Sequence, residues 1–172
     1  MTNVKASECR TFVIEPVLNK LDLYSESAVI IMLGTAAKET HMGEYLRQKG
    51  FDYKSDNGAY GIFQIEQATE KACLKWLRDR SNKHKYKTIL SKIEGMKFAS
   101  FMYTAKDNLI ANLYYQAAIC RIVYLSISEP LPHHDDIREI GRYWNDYYNR
   151  NDEHGTVDEF VECYNKYVLN RK

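Results

Sequence analysis

The sequence predicts a mainly helical α+β domain with one small irregular or short-stranded insertion at about residues 47–65. Three observations predict it. Along most of the chain, apolar residues recur at three- and four-residue intervals, the period of a helix packed along one face. Between residues 47 and 65 that period is lost, and Gly50, Asp52, Ser55, Asp56, Asn57, Gly58 and Gly61 supply turn chemistry instead. The length of 172 residues, with no internal repeat or low-complexity stretch, fits a single domain over 1–172 with its own core.

The elements follow in order. Cys9 to Asp22 carries Val13, Ile14, Val17, Leu18 and Leu21 on a helical stripe, and Pro16 must start or kink a helix there. Ser25 is placed to cap the next helix, whose stripe runs Val29, Met32, Leu33, Ala36, Ala37 and Thr40, with Glu39 on its flank and Gly43 at its end. After the insertion, helical period returns over Gln67–Arg80, Tyr86–Met96 and Asp107–Tyr124. The last has Ile110, Leu113, Tyr114, Ala117, Ala118 and Arg121 on one stripe. Pro130 and Pro132 break the chain, a helix spans Asp135–Tyr148, and Thr156-Val157-Asp158-Glu159 is a capping box. It opens a final helix that turns Phe160, Val161, Tyr164 and Val168 inward.

Composition narrows the function. Charge is nearly balanced, 24 basic against 23 acidic residues, which does not fit a nucleic-acid binder. Cys9, Cys73, Cys120 and Cys163 are dispersed, which speaks against a zinc knuckle or a disulfide framework and for buried thiols. The first residues hold no apolar stretch of signal-peptide length, and no window is long enough for a membrane span. The expectation is a protein made and folded in a cytoplasm, without a signal peptide. Most of the fourteen tyrosines read as packing at core edges. The run Lys83-His84-Lys85-Tyr86-Lys87 reads as a solvated face. His133-His134-Asp135-Asp136 reads as helix-start residues favoured by the helix dipole, not as metal ligands.

Two segments carry the chemistry. One is Gly34-Thr35-Ala36-Ala37-Lys38-Glu39-Thr40-His41-Met42-Gly43, which ends an apolar helix on a glutamate. A carboxyl group against apolar side chains can stay protonated and act as a general acid. The other is Ser55-Asp56-Asn57-Gly58-Ala59-Tyr60-Gly61-Ile62-Phe63-Gln64-Ile65, with Thr69 five residues after the glutamine. Gly58 and Gly61 let the backbone turn sharply or approach a ligand closely. Gln64, between two apolar neighbours, would point away from them on an alternating strand, and its amide both donates and accepts hydrogen bonds.

Together these segments resemble the signature of the lysozyme-like lytic transglycosylases: a Glu, then S-x-x-G-A-x-G-x-x-Q, then a Thr. Over roughly residues 30–70 the resemblance implies a lysozyme-like fold that cuts the β-1,4 bond between N-acetylmuramic acid and N-acetylglucosamine in bacterial peptidoglycan. It implies Glu39 as the catalytic acid and base, a sugar groove lined by Ser55, Gly58, Tyr60, Gly61, Phe63 and Gln64, and no cofactor or metal. Thr40 stands where the family commonly has Ser, and Phe63 where it usually has Met, which leaves an apolar ring able to stack on a sugar. The family's A-Y-N-A-G string is absent. The nearest material, Arg142-Tyr143-Trp144-Asn145-Asp146-Tyr147-Tyr148-Asn149 followed by Gly155-Thr156, is similar to a Y-W-x-x-Y-Y-N…G-T stretch of phage members. Tyr143, Tyr147 and Tyr148 therefore compete for the tyrosine that reaches the site, Tyr143 and Tyr147 being put forward.

The resemblance further implies glycan strands as partner, phage virion or tail proteins as further partners, and the periplasm or cell wall as the place of action. Two alternatives stay open. Asp56 or Asp52 could supply the second carboxylate of a hydrolytic lysozyme, although Ser-Asp-Asn-Gly is also ordinary turn composition. The chain could also be a virion structural protein that keeps the fold with little activity.

Overall fold

The computed structural model describes residues 4–48, 50, 57–99, 101–150 and 155–170. The protein is mainly helical, with one small two-stranded antiparallel sheet among the described residues. The first rod joins α1 (Ala6–Cys9) to α2 (Glu15–Leu21) through a π-helical turn at Arg10–Ile14. Pro16, at the start of α2, lacks the N–H that a regular turn needs. The chain widens just before it, where the Glu15 N–H donates to the Arg10 carbonyl. Val13, Ile14, Val17, Leu18 and Leu21 all face the core, as their spacing predicts.

Helix α3 (Glu26–Thr40) is the centre of the fold. Ser25 caps it by accepting from the Ala28 N–H at 3.1 Å. Every residue from Ala28 to Ala37 is buried, so α3 is wrapped on all sides where a single stripe was expected. A Cβ on Gly34 would fall inside the Phe160 ring of α9 (Val157–Cys163), so this glycine sets the helix–helix approach. The helix surfaces at its two ends, at Glu26 and Ser27 in the first turn and at Lys38 and Glu39 in the last, all of them half-buried. It stops through three successive left-handed residues, His41, Met42 and Gly43, with φ of 53°, 62° and 87°.

The insertion forms a short hairpin. Strand β1 (Ala59–Tyr60) pairs with β2 (Ile65–Glu66), Ala59 opposite Glu66 and Tyr60 opposite Ile65. Arg47 bridges Tyr60 on the other side, and Gln48 N–H donates to the Ala59 carbonyl at 3.0 Å. Helices α4 (Gln67–Asp79) and α5 (His84–Glu94) follow. The stretch expected as one helix from Asp107 to Tyr124 is two, α6 (Ala105–Ala111) and α7 (Leu113–Leu125). Asn112 breaks it. Its backbone is extended, its side chain accepts from the Tyr115 N–H, and its amide donates to the Met96 carbonyl at 2.7 Å. Restarting the helix shifts its phase, so Tyr115 is buried and Tyr114 is exposed. Asp136 caps α8 (Ile137–Tyr147), and Thr156 opens α9 with a complete capping box; a second π-helical turn, Tyr164–Val168, follows α9. No helix among the described residues is long and apolar enough to cross a membrane.

Candidate active site

A groove of about 510 Å³ opens where α3 ends, between the hairpin and the α7–α8 side of the molecule. Glu39, Gln64 and Thr69, the polar members of the sequence motif that the structure describes, all line it. Three devices bring them together. The first is Thr40, whose hydroxyl donates to the Ile62 carbonyl at 2.8 Å and accepts from the Gly43 N–H at 2.9 Å. It staples the hairpin turn to the end of α3, one residue from Glu39.

The second device is Gly61, at φ +74°. Its N–H donates to the Leu46 carbonyl at 2.9 Å, and any Cβ would fall on the Gln116 amide and the Leu109 carbonyl. The buried Gln116 in turn accepts from the Ile62 N–H at 2.9 Å, fixing the turn to α7. Gly58 lies at φ +93°, the left-handed conformation expected of it. Gln64 corrects a detail of the sequence reading: it is the last residue of the hairpin turn, at φ 47°, and is not on an alternating strand. Its side chain still faces opposite the buried Phe63 and Ile65, and its Nε2 donates to the Gly61 carbonyl at 2.8 Å. The amide is therefore held in one orientation at the groove wall.

The third device is Tyr148. Its hydroxyl donates to the Phe63 carbonyl at 2.6 Å, tying the end of α8 to the motif turn. Burial raises its pKa well above the usual phenol value, and the nearby Cys120, Tyr124 and Glu39 add to that rise. The hydroxyl therefore keeps its proton as a donor. Tyr45 clasps the other side, donating to the Glu39 backbone carbonyl at 2.6 Å; burial and then Glu39 raise its pKa too.

Several expected ligand-facing groups lie elsewhere. The rings of Phe63 and Tyr60 are both 0% exposed, so Phe63 packs in the core where sugar stacking was expected. Tyr60 lies under the Arg47 guanidinium, 4.5 Å from its ring centre. Gly61 is buried as well and shapes the turn from inside. Tyr143 turns from the groove: its hydroxyl donates to the Glu129 carbonyl at 2.8 Å, and its ring packs on Tyr124 and Tyr147. Of the three competing tyrosines, Tyr147 and Tyr148 line the groove. Ser55, Asp52 and Asp56 lie outside the described residues.

The groove also holds groups the sequence reading did not assign to it: Lys38, Tyr45, Glu66, Trp144 and Arg150. Lys38 is held 5.6 Å from the Trp144 ring centre and 3.5 Å from the Glu159 carboxylate. Trp144 lay in a segment the sequence had singled out, and Gln116, which fixes the turn from α7, stood out only as a glutamine within a largely apolar helical run. Chemically, the groove sets a carboxyl among hydrogen-bonding amides and hydroxyls, with aromatic side chains beside it. That combination suits a polyhydroxylated ligand carrying amide groups. Compared with known proteins, the chain matches no protein-family model, no curated protein and no solved structure.

Proposed function

We propose that this protein cleaves the β-1,4 bond between N-acetylmuramic acid and N-acetylglucosamine in bacterial peptidoglycan, on a lysozyme-like fold, as a lytic transglycosylase. The observation that carries this reading is convergence. Glu39, Gln64 and Thr69 come from three separate elements and line one groove, with the Tyr148 hydroxyl pinned to the turn between them. In the proposed reaction the Glu39 carboxyl gives its proton to the glycosidic oxygen as the bond to the muramyl C1 breaks. The resulting carboxylate then takes the proton of the muramyl C6 hydroxyl, and O6 bonds to C1. A 1,6-anhydro ring closes, no water is consumed, and Glu39 ends protonated as it began. Gln64 and the turn backbone hold the sugars in place.

The test is Glu39→Gln on purified sacculi. The amide keeps the shape but shuttles no proton, so lysis should fall at least ~100-fold while the fold is kept. A variant as active as wild type would remove Glu39 from the mechanism. Lysis by neither protein would favour a structural role in a virion. A second reading is favoured by one observation: Glu66 on β2 lines the same groove and offers a second carboxylate for hydrolysis. In this reading the protein would reach the wall through phage-mediated lysis or delivery by a virion.

A further inference from the structure

The loop between α7 and α8 ends in a cluster outside the groove. His133, His134 and Asp135 each present one ligand atom, all within 4.8 Å of one another. The His133 Nδ1 and the His134 Nε2 each lie 3.5 Å from an oxygen of the Asp135 carboxylate, and the two rings are 4.2 Å apart. Asp136 is not part of the cluster, because its side chain accepts from the Glu139 N–H and caps α8. The helix start therefore uses one of the two aspartates and leaves Asp135 turned back onto the imidazoles. Pro130 and Pro132 fix φ at two nearby positions of the loop.

We propose that His133, His134 and Asp135 form a binding site for a divalent first-row transition ion of the zinc type. Tetrahedral donors about 2.1 Å from a zinc ion lie about 3.4 Å from each other; His133 Nδ1 lies 3.5 Å from one Asp135 carboxylate oxygen and His134 Nε2 3.5 Å from the other, so a small turn of the carboxylate brings one oxygen within reach of both imidazoles. Two imidazoles with one carboxylate suit zinc, nickel or copper, whereas magnesium and calcium take oxygen donors. All three side chains reach solvent, with exposures of 70%, 37% and 80%, so water can complete the coordination. Glu26 is not counted as a ligand, since Arg10 holds its carboxylate at 2.7 Å. A bound ion would brace the loop against the first turn of α8. The same loop receives the Tyr143 hydroxyl on the Glu129 carbonyl, and the last turn of α8 carries Tyr147 into the groove.

Zinc chloride titrated calorimetrically into chelator-treated full-length protein tests this. One saturable site and a raised melting temperature are expected; magnesium chloride should produce neither. His134→Ala and His133→Ala should each weaken zinc binding at least ~10-fold, the scale on which even outer-shell partners matter. Asp136→Asn, which keeps a helix cap, and Cys163→Ser, which removes the least buried thiol, should bind as wild type does. Melting curves of the metal-free variants verify that each is folded. No saturable binding, or binding unchanged in both histidine variants, would overturn the proposal.

Discussion

Gly61 and Gln64 sit three residues apart in one turn and should fail in different ways when replaced. At Gly61, φ is +74° and the space for a Cβ is taken by the Gln116 amide and the Leu109 carbonyl. Gly61→Val should therefore cost on the order of 2–4 kcal/mol of stability, through strain and overpacking, and lose activity with it. Gln64 already has a left-handed backbone, so Gln64→Ala adds no new strain and removes only the amide at the groove wall. Its melting temperature should stay within a few degrees of wild type while lysis falls. Full lysis in both variants would reduce the segment to a turn. The thiols offer a second test at this scale. Burial pushes Cys9 and Cys73 up to about 12 and Cys120 well above the usual thiol value, whereas Cys163 is only half-buried. In the native protein a thiol-specific disulfide reagent should label Cys163 first and reach the other three only on unfolding. Glu39 and Gln64 were legible in the sequence because their spacing was, but the burial of Phe63 was not. Which face of a four-residue turn meets the core is decided by Gln116 on α7, far away in the chain.

Helix starts are where local sequence spoke most plainly. Ser25 and Thr156 cap the helices they were expected to cap, because a cap needs only its own side chain and the next few N–H groups. Breaks inside helices were harder to place. Asn112 splits one apolar run into α6 and α7 through bonds to Met96 and Asn108, partners on another stretch of chain or a turn away. The caps carry a pH dependence. The Thr104 N–H and hydroxyl hold the Asp107 carboxyl below its usual range, and the Thr156 N–H followed by Lys38 does the same for Glu159. A carboxyl whose pKa is lowered by folding contributes stability above its unfolded value, near ~4, and loses it as pH falls through the folded value. Glu159→Gln can keep the hydrogen bond but not the charge. Its urea midpoint should lie below that of wild type near neutrality, and the gap should close as pH falls below the usual carboxylate range of ~4. A gap that persists in acid would mean that Glu159 acts by packing alone.

The groove exists only in the whole molecule, and its chemistry depends on how many carboxylates it uses. A helical domain with a small hairpin was readable from periodicity, yet the wrapping of α3 was not, because an all-apolar stretch gives no stripe to orient it. Glu66 went unread for a related reason: a charged residue at a strand–helix junction looks like any solvated side chain until the hairpin folds over the end of α3. Its place in the groove makes product chemistry the decisive measurement. If Glu39 alone serves as acid and then base, O6 of the muramyl unit closes the ring and solvent oxygen never enters the product. Digestion in heavy-oxygen water should then give muropeptides without label, lighter by one water than hydrolysis products. Glu66→Gln should keep most of the activity, since the single-carboxyl route makes no proton transfer through it. Hydrolysis requires the reverse: a second carboxylate to activate water or stabilise the cationic sugar, label at the new reducing end, and a Glu66→Gln variant reduced at least ~100-fold. Labelled product together with a silent Glu66→Gln would move the second carboxylate to Asp52 or Asp56, in the segment between Gln48 and the hairpin.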